Sequence, residues 1–328
     1  MKLIHLTTLA SAVLALPSEP LSSRQTCSSP KLRKSWSKAT AAEKTAYLNA
    51  AVCVTKKPSR LGNANATLHD DFALVHAQLS SPQRIHAFAG FLPWHRYFVM
   101  VYERALRDCG YTGTAMYWDW VADAAAPSKA SVWDPVTGFG GNGVNTGDNG
   151  PRLRVIDGPF KNYRPQYWNA DAQPHWLSRD FVPGDAANGV PEMLGNGYNA
   201  AAMVPVNAQT DYDVFRQFLE DGPHAAVHAG VGGGNRGLGD MGFQNASPSD
   251  PMFFLHHTQV DRLWWIWQQK APATRTFAYN GFHNANNPDG SNGPPVSLND
   301  LLPMLGLAAD VTVRSVMDTK AANLCYTY

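Results

Sequence analysis

Charged residues are scarce in this chain of 328 residues, since Asp, Glu, Lys and Arg make up only 16% of it. Their signs nearly cancel, because 27 basic and 26 acidic residues give a formal net charge of +1. A chain without excess positive charge is not expected to bind a nucleic-acid backbone or an anionic membrane surface. Hydrophobic residues reach 44%, which indicates a folded globular protein with a sizeable core.

Several common site motifs are missing. No CxxC is present, which argues against a zinc ribbon or a thioredoxin-like site, and no Gly-Lys-Ser/Thr is present, which argues against a P-loop. The stretch "GLGDMG" at residues 237–242 matches GxGxxG by letter. No β-branched strand precedes it and two prolines follow it, so dinucleotide binding is not expected there.

Long apolar runs are also missing, apart from a short one at the amino terminus. "MKLIHLTTLASAVLALPSEP" has a lysine, a short apolar stretch and small residues, which together predict a secretory signal over residues 1–18. A buried N-terminal helix is the alternative. We expect residues 19–328 to form a single catalytic domain, secreted and extracellular, that does not span a membrane. The oligomeric state is not predicted.

The chain has only four cysteines, which allow three pairings. We favour two disulfides, Cys27–Cys325 joining the ends of this region and Cys53–Cys109 within it, as suits an oxidising compartment. Asn65 and Asn245 begin N-glycosylation sequons that are usable if exposed.

Helical composition and spacing recur along the chain. They predict helices in residues 37–54, in "HDDFALVHAQLSSPQ" up to Pro82, in "FVMVYERALRDCG", in "DYDVFRQFLED" and in "PMFFLHHTQVDRLWWIWQQK". Residues 127–205 are rich in Gly, Pro, Asn and Asp and are expected to form long loops. The pattern predicts one mainly α domain whose long connections build a site.

The eleven histidines carry the clearest chemical signal. His5 lies in the signal segment, and His69, His175 and His283 are expected to be ordinary histidines, because none has a partner at ligand spacing. The others form two groups: His76, His86 and His95; and His224, His228, His256 and His257.

The first group surrounds a proline in "HAFAGFLPWHRYF", where nine residues separate His86 from His95. On an unbroken helix those two rings would face opposite ways. Because proline suits the first turn of a helix, we expect one helix to carry His86, a break at residues 90–93, and a second helix opening near His95.

The second group begins with "PHAAVH", in which His224 and His228 share one helix face. His256 and His257 point about 100° apart on a helix, so only one of them is expected to join the site. Asp261 follows four residues after His257 and is predicted to accept a hydrogen bond near the metal ligands.

Two groups of three neutral imidazoles, without Asp, Glu or Cys at ligand spacing, argue against calcium, magnesium and facial-triad iron. Zinc remains open on ligand type, although "HAAVH" lacks the glutamate of an HExxH hydrolase. Paired sets of three imidazoles suit copper.

The motifs resemble those of the type 3 dicopper family, which includes tyrosinases, catechol oxidases and haemocyanins. "HAFAGFLPWHRYF" resembles the first copper motif, and "PHAAVH" followed by "DPMFFLHHTQVDRLWWIWQ" resembles the second. "YWDW" and the final "YTY" occur in the matching order. The resemblance implies a mainly α fold with an antiparallel four-helix bundle core, few short strands and two copper ions. It also implies that dioxygen oxidises phenolic substrates to quinones.

Transferred to this sequence, the resemblance assigns His76, His86 and His95 to one copper. It assigns His224, His228 and His257 to the other, with His256 beside the site as a non-ligand. It also implies that Arg33 pairs with the terminal tyrosines.

Departures from the family pattern shape the expected activity. Arg84 stands where some relatives have a cysteine cross-linked to the second histidine, so that thioether is excluded. Glu220 matches a glutamate that, with an asparagine, holds a water for monophenol deprotonation, but the asparagine position is Ala225. An alanine side chain cannot orient a water by hydrogen bonding.

The entrance to the site also departs from the pattern. Ala229 places no charge there, Phe253 is expected to stack over the second copper side, and Gln244 falls at the gate position. No C-terminal shielding domain is expected. These features predict a copper-dependent catechol oxidase acting on o-diphenols. The alternatives are a tyrosinase with monophenol hydroxylase activity and a haemocyanin-like oxygen carrier.

Overall fold

The computed structural model describes residues 27–80, 85–283 and 293–328. The proposed signal segment 1–18 and Arg84 lie outside the described residues. The fold is mainly helical, as the sequence predicts. Its α-helices are α1 (Ala41–Val54), α2 (Leu68–Ser80), α3 (Phe91–Arg107), α4 (Trp120–Asp123), α5 (Met203–Ala208), α6 (Tyr212–Leu219), α7 (Ala225–Gly232), α8 (Met252–Gln269), α9 (Pro272–Arg275) and α10 (Val313–Val316).

The strands within the described residues are all two residues long. They are β1 (Lys31–Leu32), β2 (Tyr167–Trp168), β3 (Asp171–Ala172), β4 (Leu301–Leu302), β5 (Val311–Thr312) and β6 (Tyr326–Thr327). They form three separate pairs, with β1–β6 parallel and β2–β3 and β4–β5 antiparallel. Such short strand pairs connect loops, whereas the helices form the hydrophobic core.

The bundle core consists of α2, α3, α7 and α8, and aromatic side chains join the first two to α8. Phe72 of α2 lies 5.3 Å from Phe98 of α3 and 5.5 Å from Phe254 of α8 between ring centroids. Tyr102 of α3 stacks on Phe254 with centroids 3.5 Å apart. These rings are buried, so their packing fixes the helices that carry most of the histidines.

Local sequence signals explain where individual helices begin. The hydroxyl of Thr40 accepts a hydrogen bond from the N–H of Glu43, whose carboxylate accepts one from the N–H of Thr40. This capping box starts α1 at Ala41, inside the predicted stretch 37–54.

The long segment between α4 and α5 is mostly irregular, as its composition predicts, yet it is firmly attached to the bundle. The guanidinium of Arg179 is fully buried and forms two hydrogen bonds to the carboxylate of Asp250, at 2.6 and 2.9 Å. Asp250 in turn accepts a hydrogen bond from the N–H of Met252, the first residue of α8. The loops are therefore tied to the start of the helix that carries His257.

Both predicted disulfides are present in the structure. Cys27 and Cys325 have Cα atoms 5.4 Å apart, and those of Cys53 and Cys109 are 6.0 Å apart. The first bond lies beside the β1–β6 pair and so joins two distant parts of the chain.

The two sequons differ in their surroundings. Asn65 is exposed, whereas Asn245 is half-buried and its amide donates a 2.7 Å hydrogen bond to the side chain of Asn169. Glycosylation of either residue stays a prediction. Within the part of the chain that the structure describes, no helix has the length and apolarity needed to cross a membrane.

Candidate metal centre

The first histidine group converges from two helices and a connecting segment. His76 lies on α2, His95 on α3 and His86 between them, and all three are buried. Their ring centroids are 4.9 to 5.6 Å apart, and one nitrogen of each ring lies within 4.8 Å of the others. This arrangement can hold one metal ion.

The expected helix around His86 is wrong. His86 lies in an irregular segment, residues 85–90, and α3 already begins at Phe91, so that His95 lies in its second turn. Pro93 sits within the first turn of α3, where no helical hydrogen bond to its nitrogen is needed. Ala87 adopts a φ of 61°, a conformation that costs a non-glycine residue energy, and this bend directs His86 towards the other two rings.

The second group is built around α7 and α8. His224 ends a wide π-helical turn, residues 220–224, His228 follows one turn later on α7, and His257 lies on α8. The Nε2 atoms of His228 and His257 are 3.4 Å apart. The spacing of "PHAAVH" therefore brings its two rings together with His257, as predicted.

His256 belongs to the same cluster geometrically. Its ring centroid is 4.6 Å from that of His228 and 5.2 Å from that of His224. It is fully buried, and neither of its ring nitrogens has a hydrogen-bond partner among the described residues. Its exclusion from the ligand set stays a prediction.

Backbone carbonyls fix the orientation of three rings. The Nδ1 atoms of His95, His224 and His228 lie 2.8, 2.9 and 2.8 Å from the carbonyl oxygens of Phe91, Glu220 and Met241. A carbonyl only accepts, so each Nδ1 carries the proton and each Nε2 keeps a free lone pair.

Several of the Nε2 nitrogens in the two groups lack a hydrogen-bond partner among the residues that the structure describes. Among the described residues, the buried Nε2 atoms of His76, His95 and His224 have no hydrogen-bond partner. Buried polar atoms are normally paired, so unpaired nitrogens that converge from both groups fit bound metal ions.

Burial also keeps these imidazoles neutral, which metal ligation requires. Burial lowers the pKa of His95 to about 3, despite the opposing hydrogen bond to Phe91. Burial likewise lowers the pKa of His228 to about 4. The pKa values of His76, His86, His224 and His257 are lowered by burial and by the neighbouring histidines.

The two groups meet in one cavity. The rings of His95 and His257 stack with centroids 4.3 Å apart and planes 12° apart. Phe253 lies 4.1 Å from the His257 centroid and 5.2 Å from that of His76, so it contacts both groups. Two metal ions held by these groups would therefore be neighbours.

A cavity of about 320 Å³ opens beside the histidines. The predicted residues Glu220, Ala225 and Gln244 all line it, whereas Phe253 is buried behind the rings. Ala225 and Gln244 are exposed to the cavity mouth. The cavity lining is: His86, Ala87, Glu220, Asp221, His224, Ala225, His228, Ala229, Met241, Gly242, Gln244 and Ser247.

Glu220 is buried at the inner end of this cavity, and both of its carboxylate oxygens are engaged. Oε1 accepts a 2.7 Å hydrogen bond from the N–H of Ala87, and Oε2 accepts a 2.8 Å hydrogen bond from Arg216. Burial raises the pKa of Glu220 to about 7, although Arg216 opposes that rise. The carboxylate is thus poised to exchange a proton near neutral pH.

Asp261 accepts hydrogen bonds near the metal ligands, as predicted, but its donors are not the histidines themselves. Its carboxylate accepts hydrogen bonds from Arg33, Arg96, Tyr326 and Tyr328, and from no histidine. The buried guanidinium groups of Arg33 and Arg96 lie 3.1 and 2.5 Å from its oxygens, and they attract a carboxylate more strongly than a neutral imidazole does. The expected pairing of Arg33 with the terminal tyrosines is confirmed, with its guanidinium 3.5 Å from the centre of the Tyr326 ring.

Of the histidines set aside in the sequence, His5 lies outside the described residues, and the other three lie outside both groups. His69 bonds the carbonyl of Pro248, His175 pairs with Asp240, and His283 pairs with Asp300. Sequence reasoning missed Asp221 and Ser247 in the cavity lining. The two acidic residues before "PHAAVH" could have indicated Asp221. The carbonyl of Met241, which orients His228, could not be predicted, because a backbone group leaves no signal in the side-chain pattern.

The family model for the common central domain of tyrosinase matches residues 66–270, which contain both histidine groups. This chain belongs to the tyrosinase family. Its family therefore makes it a tyrosinase-like oxidoreductase, and it implies a dinuclear copper centre and phenolic substrates with oxygen.

Relatives of known sequence support the same family membership. The chain is 39% identical over 321 residues to the tyrosinase-like protein phomQ1 of Diaporthe leptostromiformis, covering 93% of this chain and 79% of that protein. It is 37% identical over 305 residues to the tyrosinase ustQ of Aspergillus flavus, covering 92% and 80%.

A solved structure supports the fold. A variant of the polyphenol oxidase from Thermothelomyces thermophila superposes with a TM-score of 0.73 at 30% identity, covering 91% of this chain and 88% of that one. The sequence predicts a mainly helical fold with few short strands. The structure of this chain and its similarity to that polyphenol oxidase confirm the prediction.

Proposed function

We propose that this protein is a copper-dependent polyphenol oxidase of the catechol oxidase type, which oxidises o-diphenols to o-quinones with dioxygen. The observation that carries the proposal is the pair of buried histidine groups, whose unpaired nitrogens converge beside one cavity. In this proposal His76, His86 and His95 hold one copper ion, and His224, His228 and His257 hold the other. When bound, the two copper ions supply the site for dioxygen and accept the two electrons that the diphenol loses.

The protein's own residues position the reacting groups. Carbonyl acceptors hold the rings of His95, His224 and His228 with Nε2 free, so the ligand geometry exists before a metal binds. Phe253 packs against His257 and His76 and keeps water from that side of the centre. Gln244, exposed at the cavity mouth, is positioned to contact the entering ring.

The surroundings of Glu220 favour diphenols over monophenols. A phenol must lose a proton with a pKa of about 10 before its oxygen can act as an anion, so a positioned base is needed. The carboxylate of Glu220 already accepts hydrogen bonds from Ala87 and Arg216. The methyl group of Ala225 cannot form a second hydrogen bond to a water held by Glu220. A diphenol depends less on that base, because its second hydroxyl provides another route for the proton.

Monophenol hydroxylation by a tyrosinase is the second candidate, and the buried Glu220 is the observation that favours it. Its pKa of about 7 leaves a carboxylate available as a base at neutral pH. The missing amide at Ala225 makes this the lesser activity in our proposal.

We also propose that residues 1–18 direct secretion and that residues 19–328 act as one catalytic domain. The two disulfides support an oxidising, extracellular location. Small phenols and dioxygen are the proposed partners, and neither nucleic acid nor a membrane is required.

Oxygen uptake by the purified, copper-loaded protein tests the proposal with a matched pair of substrates, 4-methylcatechol and 4-methylphenol. The expected result is rapid uptake with the catechol and slow uptake after a lag with the phenol. Comparable rates with both would indicate a tyrosinase. Reversible oxygen binding without turnover of the catechol would indicate a carrier and overturn the proposal.

A further inference from the structure

Among the described residues that line the cavity beside the histidines, the charged side chains are all acidic. Of the twelve residues that line it, the acidic ones are Glu220 and Asp221, and no lysine or arginine is among them. The remaining lining consists of three histidines, which the proposed function assigns to copper, and of small or uncharged side chains. Apart from the proposed copper ions, the charge that these side chains present to an entering substrate is therefore negative.

The two carboxylates differ in whether a positive group already neutralises their charge. Glu220 is buried and paired with Arg216, and it also accepts the N–H of Ala87. Asp221 is exposed, and its carboxylate forms no hydrogen bond or ion pair with any residue that the structure describes. The unbalanced charge of the lining is therefore that of Asp221.

Nothing bulky separates Asp221 from the cavity mouth. Ala225 and Ala229, which also line the cavity, lie one turn apart on α7 and present methyl groups there. Gln244 and Ser247 on the opposite side are polar but uncharged. A ring substituent that points outwards from a bound phenol would meet the Asp221 carboxylate across this open space.

We propose that Asp221 makes the cavity select phenols whose ring substituent ends in an ammonium group over matched phenols that end in a carboxylate. This inference rests on the proposed oxidation of o-diphenols and specifies the substrate class of that same site. An exposed carboxylate attracts a nearby cation and repels an anion modestly in water, and salt screens both effects. The combined preference is expected to be about 3- to 10-fold in kcat/KM at low ionic strength.

The test compares three catechols: dopamine, 4-methylcatechol and 3-(3,4-dihydroxyphenyl)propionate. The value of kcat/KM for dopamine and for the acid is divided by that for 4-methylcatechol, for the wild type and for Asp221→Asn. We expect the wild type to prefer the amine, Asp221→Asn to lose most of that preference, and Asp221→Glu to keep it. High salt is expected to remove the preference in the wild type as well.

A matched control removes the same charge elsewhere. Asp108→Asn changes an exposed aspartate that pairs with Arg60 and does not line the cavity, so it is expected to keep the wild-type preference. Equal values for amine and acid in the wild type, or an unchanged ratio in Asp221→Asn, would overturn the inference. Failure to oxidise 4-methylcatechol at all would instead overturn the proposed function.

Discussion

The two histidine groups face one cavity, but the chain supports them in different ways. In the second group, His224 and His228 follow each other on helical backbone, and each donates its Nδ1–H to a carbonyl. In the first group, among the described residues, such a hydrogen bond within 3 Å is formed by His95 alone, although the backbone of Asn245 also opposes the lowering of the pKa of His76. The Nδ1 atoms of His76 and His86 instead lie 3.5 and 3.4 Å from one hydroxyl, that of Ser80.

This difference shows that regular secondary structure positions the second group, whereas the first depends on an irregular segment. That segment is held from the other side of the cavity, because the carboxylate of Glu220 binds the N–H of Ala87. The backbone carbonyl of the same Glu220 accepts the Nδ1–H of His224. One residue therefore connects the supports of both groups.

The largest expected effect comes from removing one ligand from either group. His95→Ala and His257→Ala should each lose about one copper per chain and abolish catechol oxidation, because the reaction needs both metal ions. Metal analysis and oxygen uptake measure the two outcomes.

His256→Ala is the matched control for His257→Ala, because the two histidines are adjacent and equally buried. It is expected to retain two copper ions per chain. Loss of copper from this variant would show that the second group uses His256 as a ligand, and full activity in His257→Ala would contradict the proposed ligand set.

Ser80→Ala tests whether the first group is the more weakly supported one. Its hydroxyl donates to the carbonyl of His76 and is placed to accept from the rings of His76 and His86. Groups that support metal ligands typically contribute about 10- to 100-fold in metal affinity, and these long contacts predict about tenfold. Titration with a chelator should release one copper earlier than in the wild type and leave the other unchanged.

Ser315→Ala serves as the control, because that hydroxyl bonds the carbonyl of Thr312 away from the histidines. If Ser80→Ala lowered the affinity for both copper ions equally, the proposed difference in support between the two groups would be contradicted.

Ala225→Asn would place a side-chain amide in the cavity lined by Glu220, beside the second histidine group. A side-chain amide could hold a water together with this carboxylate, and a general base contributes about 10²- to 10⁴-fold when fully effective. Since Glu220 remains engaged by Ala87 and Arg216, we expect a smaller gain, about tenfold in the ratio of monophenol to diphenol rates.

Ala225→Leu controls for the added bulk and should not raise that ratio. A wild-type protein that hydroxylates tyramine as fast as it oxidises dopamine would contradict the role given to Ala225.

The smallest expected effect concerns the loop that supports His228. Burial lowers the pKa of His175, but the carboxylate of Asp240, 2.7 Å away, more than offsets this, and the pKa is raised above 6.5. Asp240 directly precedes Met241, whose carbonyl holds His228. A raised pKa stabilises the folded state below pH 6.5, and that contribution is lost as the pH rises through the folded-state value.

Denaturant unfolding between pH 6 and 9 measures this contribution as the difference between the wild type and His175→Gln. The difference should shrink as the pH rises. A difference independent of pH would show that the ion pair does not support this loop.

The sequence predicted those parts of the site that follow from spacing. The separation of His224 from His228 by four residues, and the long apolar helix with His257, both follow helical periodicity. The disulfide pairing and the mainly helical fold were also predictable. These features depend on local pattern or on a strong family resemblance.

Other parts could not be predicted, because they depend on contacts distant in sequence. His86 takes its place through the positive φ of Ala87 and the carboxylate of Glu220, 133 positions away. Asp261 appears at helical spacing from His257, yet buried arginines from two other parts of the chain take its oxygens. Sequence periodicity does not show which of several possible donors will form hydrogen bonds with a buried carboxylate.

The Asp261 cluster connects residues 326 and 328 to the helix that carries His257. Tyr326 and Tyr328 donate to Asp261, which lies one turn of α8 beyond His257. A protease that removed residues 326–328 would leave the buried carboxylate with two arginines and take away the strand β6 that lies beside it. We expect such a cut to lower activity although none of these residues lines the cavity, because it would remove hydrogen-bond donors to Asp261 on the helix of His257.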